Sequence, residues 1–171
     1  MEDQAADLGD HVRAQLGLMD GRTKQLGWRL VRAVKTVAGE DTELRKAVAG
    51  LDTALQMHPD SEAALVFARW FDHFTEAVCE PHFSEAGLDE SEYPNDWVIA
   101  TLPADSQFFS ETSREETMVE ALRTTLAEID DEGWETYGDY NTTEPITHPF
   151  GGEAPFLNYD DLPIGGSRVT I

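Results

Sequence analysis

Apolar residues recur at three- and four-residue spacing through the first two thirds of the chain, the period of an amphipathic helix. Leu26, Leu30, Val34 and Val37 form one stripe, with Arg29, Arg32 and Lys35 off it, and Gly39 closes the segment. This predicts a helix near 22–38. Upstream, Leu8, Val12 and Leu16 make another stripe, but Gly9, Gly17 and Gly21 interrupt it, each costing about 1 kcal/mol inside a helix. One continuous first helix is therefore not expected. Asp41 and Thr42 offer N-caps ahead of Leu44, Val48, Leu51 and Leu55, so a second helix is expected near 43–56. Pro59 breaks the pattern, and Asp60 or Ser61 can cap the next helix, near 61–80. That segment has the strongest pattern. Ala64, Phe67, Ala68, Phe71, Phe74 and Val78 share a face, Trp70 lies beside them, Leu65 and Asp72 sit elsewhere on the wheel, and Pro81 is its expected end.

Residues 81–111 carry Pro81, Pro94 and Pro103 and mixed polarity. They read as an irregular, partly packed connection, with Trp97-Val98-Ile99 as one helical turn or a short strand. Ser113 followed by Glu116 has capping-box form. Val119, Leu122, Leu126 and Ile129 then give a helix near 113–131, with Gly133 as its C-cap. Beyond Gly133 the helical period is lost. Pro145, Pro149, Pro155, Pro163 and several glycines mark a Gly/Pro-rich tail. Short extended pieces are expected around 145–150 and 167–171, with turns at Gly151-Gly152, Asp160-Asp161 and Gly165-Gly166. The division is thus a helical region, 1–133, and an extended tail, 134–171. The fold class is α+β, mainly helical with a C-terminal extended tail. The tail has too few strands for a stable sheet of its own.

Charge and composition narrow the partners. The 171 residues hold 12 Lys and Arg against 34 Asp and Glu, a formal net charge of −22. Phosphate backbones and anionic lipid both require basic patches, so neither nucleic acid nor a membrane surface is an expected partner. Four Trp and eight Phe in a chain 40% hydrophobic argue for a packed core and against disorder. Only Lys24, Lys35 and Lys46 are lysines, and the acids are spread throughout. Such a surface suits concentrated salt, where self-repulsion is screened, and points to a halophilic source. No run reaches the length of a membrane span. The acidic N-terminus lacks a signal peptide's apolar region, so a cytoplasmic location is expected.

Local chemistry is sparse. His73, Cys79 and His82 have a spacing that matches no zinc pattern, and a helix-end Cys with two surface histidines is the plainer reading. Cys79 as a nucleophile, with His82 near, would sit at a helix C-terminus, where the dipole raises a thiol pKa. Asp130-Asp131-Glu132 and Asp160-Asp161 lack the spaced ligands of a calcium loop and read as solvated acids. Trp70, Phe71, Phe74 and Trp97 could line an acyl pocket, but aromatics at helical spacing are core by default. Gly165-Gly166-Ser167 is a turn before a terminal strand, not a phosphate loop or a self-cleavage junction.

The order of these features resembles the β-subunit of the penicillin acylase (penicillin amidase) family. In the tail the match is carried by Tyr137-Gly138, by His148-Pro149-Phe150-Gly151, and by Pro163-Ile164-Gly165-Gly166-Ser167 with Val169-Thr170. A second match runs from Ala49 and Leu51 through Met57 to Asp60-Ser61, Ala63-Ala64, Val66-Phe67 and Trp70. A third spans Gln15 to Leu26, with Gly17 at a position the family gives to Asp and Trp28 where Pro is usual.

The resemblance implies a haloarchaeal-type N-terminal-nucleophile hydrolase with an αββα sandwich, cleaving linear amides. An N-terminal Ser is the family's nucleophile and its own α-amine the base, with an Asn side chain helping to stabilise the intermediate. Those groups lie upstream of the matching region. Glu2 follows Met1, so removing Met1 exposes no Ser. The chain is therefore expected to be a fragment with no catalytic and no metal residue, inactive alone. It needs no cofactor, calcium being open in the parent family. Its expected partners are the missing α- and β-subunit segments. The alternatives are a complementing subunit, or an acidic helical interaction protein whose tail adds a strand to a partner's sheet.

Overall fold

The computed structural model describes residues 20–51, 55–143, 145–159 and 161–166. It is mainly helical: α1 (Gly21–Val37), α2 (Thr42–Ala47), α3 (Glu62–Glu85), α4 (Asp96–Thr101), α5 (Arg114–Glu132) and α6 (Tyr137–Tyr140), with single 3-10 turns at Glu90–Glu92, Gln107–Phe109 and Pro155–Leu157. The upstream stripe Leu8, Val12, Leu16 and the terminal Ser167–Ile171 lie outside the described residues.

Helix α3 is the hub. It packs on α5 and α6, and α1 packs on α5, α4 and α2. The α3 stripe is buried as its spacing requires, and Trp70 and Leu65 are buried with it, so this helix meets the core on more than one side. Trp70 stacks on Phe74 with ring centroids 5.3 Å apart, and its indole N–H donates to the Met118 carbonyl at 3.0 Å. The α1 stripe buries Leu26, Leu30 and Val34, but Val37 emerges 43% exposed at the last turn.

Helix α5 begins and ends as its sequence specifies. Ser113 and Glu116 form the reciprocal capping box, and Gly133 closes the helix at φ 70°. Two other boundaries differ from expectation. The second helix stops at Ala47, short of 56. Val48, Leu51 and Leu55 are buried all the same: residues 48–50 form a turn, and Leu51 and Leu55 reach the core from outside any helix. Gly50 permits this route: a Cβ there would stand 2.9 Å from the Ala63 Cβ.

The third helix does not end at Pro81 but runs to Glu85. Proline forfeits one backbone bond, and the final turn is held by side chains, His82 edge-on to Phe108 at 4.9 Å and Phe83 to Tyr93 at 5.2 Å. The stop signal is Gly87 at φ 74°. Its N–H reaches the Ser84 carbonyl while Leu88 N–H reaches Phe83, the paired bonds of a Schellman closure. Trp97-Val98-Ile99 is helical, within α4. Among the described residues of the tail, two antiparallel pairings join Thr142 with Pro163 and Ile146 with Tyr159, while 149–153 form a turn.

Candidate functional site

Three segments meet in one knot. Pro59 and Ser61 turn the chain into α3, and their carbonyls accept from Gly138 N–H at 2.7 Å and Tyr137 N–H at 3.2 Å. The buried Tyr137 hydroxyl donates to the Gly166 carbonyl at 2.7 Å, and Gly166 N–H donates to Met57 at 2.8 Å. Gly138 has no room for a side chain. A Cβ there would lie 2.8 Å from Pro163 Cβ, 3.1 Å from Pro59 Cβ and 3.2 Å from Pro59 O. The start of α3, the short α6 and the tail are therefore fixed to one another mainly through backbone groups.

Beside the knot, α3, α5 and α6 share a charged network. Arg69 forms a two-pronged bond to Glu128 at 2.7 and 2.8 Å and reaches Asp72 at 2.7 Å. Its guanidinium lies over the Tyr140 ring at 5.0 Å, and His73 meets Glu128 at 3.0 Å. The bond from Glu128, opposed by burial and reinforced by Tyr140, holds the Arg69 pKa above its ordinary value. The bond from Arg69 chiefly lowers that of Glu128, against burial and with help from His73.

The sign of the pH effect follows. A carboxyl with a depressed folded pKa stabilises the fold above its unfolded value of about 4.3, and the stabilisation is lost as pH falls through the folded value. Acid unfolding followed by circular dichroism should show the native chain losing stability below about pH 4 more steeply than Glu128→Gln. Equal slopes would contradict the pairing.

A second ion pair is more deeply placed. Asp20 caps α1 and binds Arg22 through both oxygens, while Arg22 also reaches Asp96 at 2.8 Å and lies 4.5 Å from the Phe71 ring centroid. Burial works to lower the Arg22 pKa, but Asp20 and then Asp96 outweigh it and the net shift is upward.

Between the two networks opens a cleft of about 780 Å³, lined by Arg69, Asp72, His73, Glu76, Tyr93 and Trp97 among others. Its aspartates are committed to cations, Asp72 to Arg69 and Asp96 to Arg22. Hydroxyls that touch carboxylates elsewhere sit at helix starts: Ser113 caps α5 and bonds Glu116, and Ser91 donates to Asp89, the cap of its 3-10 turn. Cys79 is buried, and burial raises its thiol to about 11, the wrong direction for a nucleophile. Among the described residues, no Ser, Thr or Cys side chain hydrogen-bonds a histidine. Amide cleavage through a covalent intermediate needs a nucleophile with a base in reach, and this arrangement assembles packing instead.

A family model described as penicillin amidase matches residues 2–171. The chain belongs to the penicillin amidase family. That family is one of amide hydrolases. A comparison with curated proteins gives no match. Two of the stretches that resemble penicillin amidases, 49–74 and 137–170, meet in the knot, since Met57, Ser61, Tyr137, Gly138, Pro163 and Gly166 all belong to them.

The remaining motif residues also have structural work. Gly151 N–H donates to the His148 carbonyl at 2.7 Å, and a Cβ at Gly151 would overlap the Asn158 amide. His148, Cys79 and His82 go to different surroundings, and His73 is turned to Glu128. Among the described residues, no cluster of His, Cys, Asp and Glu is arranged to hold a metal ion. Trp70, Phe71 and Phe74 are core, whereas Trp97 stands 55% exposed at the cleft. Among the described residues, no helix is long and apolar enough to cross a membrane.

The Asp20–Arg22 pair has almost no signature in the sequence. An Asp two residues before an Arg, directly ahead of the α1 stripe, was its only signal.

Proposed function

We propose that this chain supplies a packing part of a penicillin amidase-type amide hydrolase, that the nucleophile resides on a different segment, and that the chain hydrolyses no amide by itself. One observation carries this reading: the residues it shares with the family pack against one another, while the hydroxyls and the thiol near them serve as caps or lie buried. A serine-directed sulfonyl fluoride tests it. Intact-mass measurement should find the 19.0 kDa chain unmodified under native conditions. A stoichiometric adduct that denaturation abolishes would reveal an activated nucleophile and refute the reading.

The same proposal includes adaptation to salt. The net charge of −22 opposes compaction through self-repulsion, and raising KCl from about 0.1 M to about 1 M shortens the screening length from about 10 Å to about 3 Å. The thermal midpoint should rise over that range. A flat or falling midpoint would remove the salt argument.

A further inference from the structure

We propose that the tip of the tail ribbon, residues 146–159, is a docking face for a protein surface that is apolar at its centre and rimmed by Lys and Arg. The tip begins at the Ile146–Tyr159 pair, where each residue's N–H donates to the other's carbonyl at 3.0 Å, so both side chains project from the same side of the ribbon. Ile146 and Tyr159 are both more than half exposed, Phe150 is 66% exposed and Phe156 82%. Four large apolar side chains thus stand in water within fourteen residues of one ribbon, and such concentrations of exposed apolar surface mark interaction sites.

The tip is also held in shape. His148 N–H donates to Asn158 Oδ1 at 3.1 Å, Phe150 N–H to His148 Nδ1 at 3.1 Å, and Ala154 N–H to the Phe150 carbonyl at 2.9 Å. Asn158 occupies the space that the missing Gly151 side chain leaves. The aromatic anchors are therefore presented with little ordering left to do on binding.

Charge selects the partner. From residue 124 to residue 167 the sequence has no Lys and no Arg, while Glu153 within the tip and Asp161 just after it are exposed. A second copy would bring the same acids face to face, whereas a basic rim complements them. The ribbon keeps this face whether or not the chain hydrolyses amides, so the labelling experiment and the docking experiment fail separately.

The test uses the full chain and three fluorescent helical peptides: a leucine face with a lysine rim, a leucine face with a glutamate rim, and a serine face with a lysine rim. By anisotropy, the leucine–lysine peptide should bind best, with the other two at least about tenfold weaker. Phe150→Ser with Phe156→Ser should weaken the leucine–lysine peptide by about tenfold or more. Both side chains are largely in water, so the variant should keep its circular dichroism, and Phe156→Ser alone gives a milder version. Equal binding by the double variant, or by the serine–lysine peptide, would overturn the proposal in favour of diffuse attraction to an acidic protein. Self-association lost in the double variant would assign the face to a second copy. Binding seen only after removal of residues 1–19 would assign it to the chain's own N-terminus.

Discussion

Asp20→Ala should be among the most damaging single substitutions in the chain, costing about 3–5 kcal/mol in urea unfolding. Asp20 is fully buried and Arg22 nearly so. The substitution removes the α1 N-cap, worth about 1 kcal/mol by itself, and strands a guanidinium between Asp96 and the Phe71 ring. Asp96 is partly exposed, so it compensates the charge less well than Asp20 does. In a chain of this length the thermal midpoint should fall by roughly 10 °C. Combining Asp20→Ala with Arg22→Met should recover part of the loss, because no charge is then left buried without its main partner. A loss below about 1 kcal/mol for Asp20→Ala would mean that the pair is solvated and the buried geometry wrong.

Gly138→Ala carries the second large effect. The new Cβ would meet Pro163, Pro59 Cβ and the Pro59 carbonyl at 2.8, 3.1 and 3.2 Å. Two of these atoms belong to rigid rings and the third is backbone, so relief requires the tail to move off the start of α3. Overpacking of this kind costs about 1–3 kcal/mol, and a larger residue should cost more. The effect should be local as well as global, with the Gly138 and Gly166 amides losing hydrogen-exchange protection as their bonds to Pro59 and Met57 lengthen. Gly152→Ala is the control, since a Cβ there meets nothing within 4 Å, and it should stay within about 0.5 kcal/mol of the native chain. Equal effects from the two alanines would show that the knot is not tightly packed.

Much of the fold was legible where local signals and burial agree. The α5 boundaries follow from Ser113, Glu116 and Gly133, whose capping geometry needs only neighbours in sequence. The second helix was misread because Val48, Leu51 and Leu55 have helical spacing, yet tertiary packing buries them from irregular backbone. Pro81 was misread as a stop because a lost backbone bond is local, whereas the contacts of His82 and Phe83 that outweigh it come from residues 93 and 108.

The knot was half legible. Resemblance marked Tyr137-Gly138, Met57, Ser61 and Pro163 as residues that matter, but only the fold shows that they matter to one another. The Arg69–Glu128 pair could not be read at all. Its partners lie on two helices fifty-nine residues apart, and in so acidic a chain one more Glu carries no signal.

Family membership and catalytic equipment are separate properties of this chain. The measurement that tests this most directly is the release of amine from a linear amide substrate by the purified 171-residue chain, in high salt and over many hours. The expected rate is no different from the buffer blank. Turnover that follows the folded chain through purification and disappears on unfolding would contradict it, and would require a nucleophile within these residues.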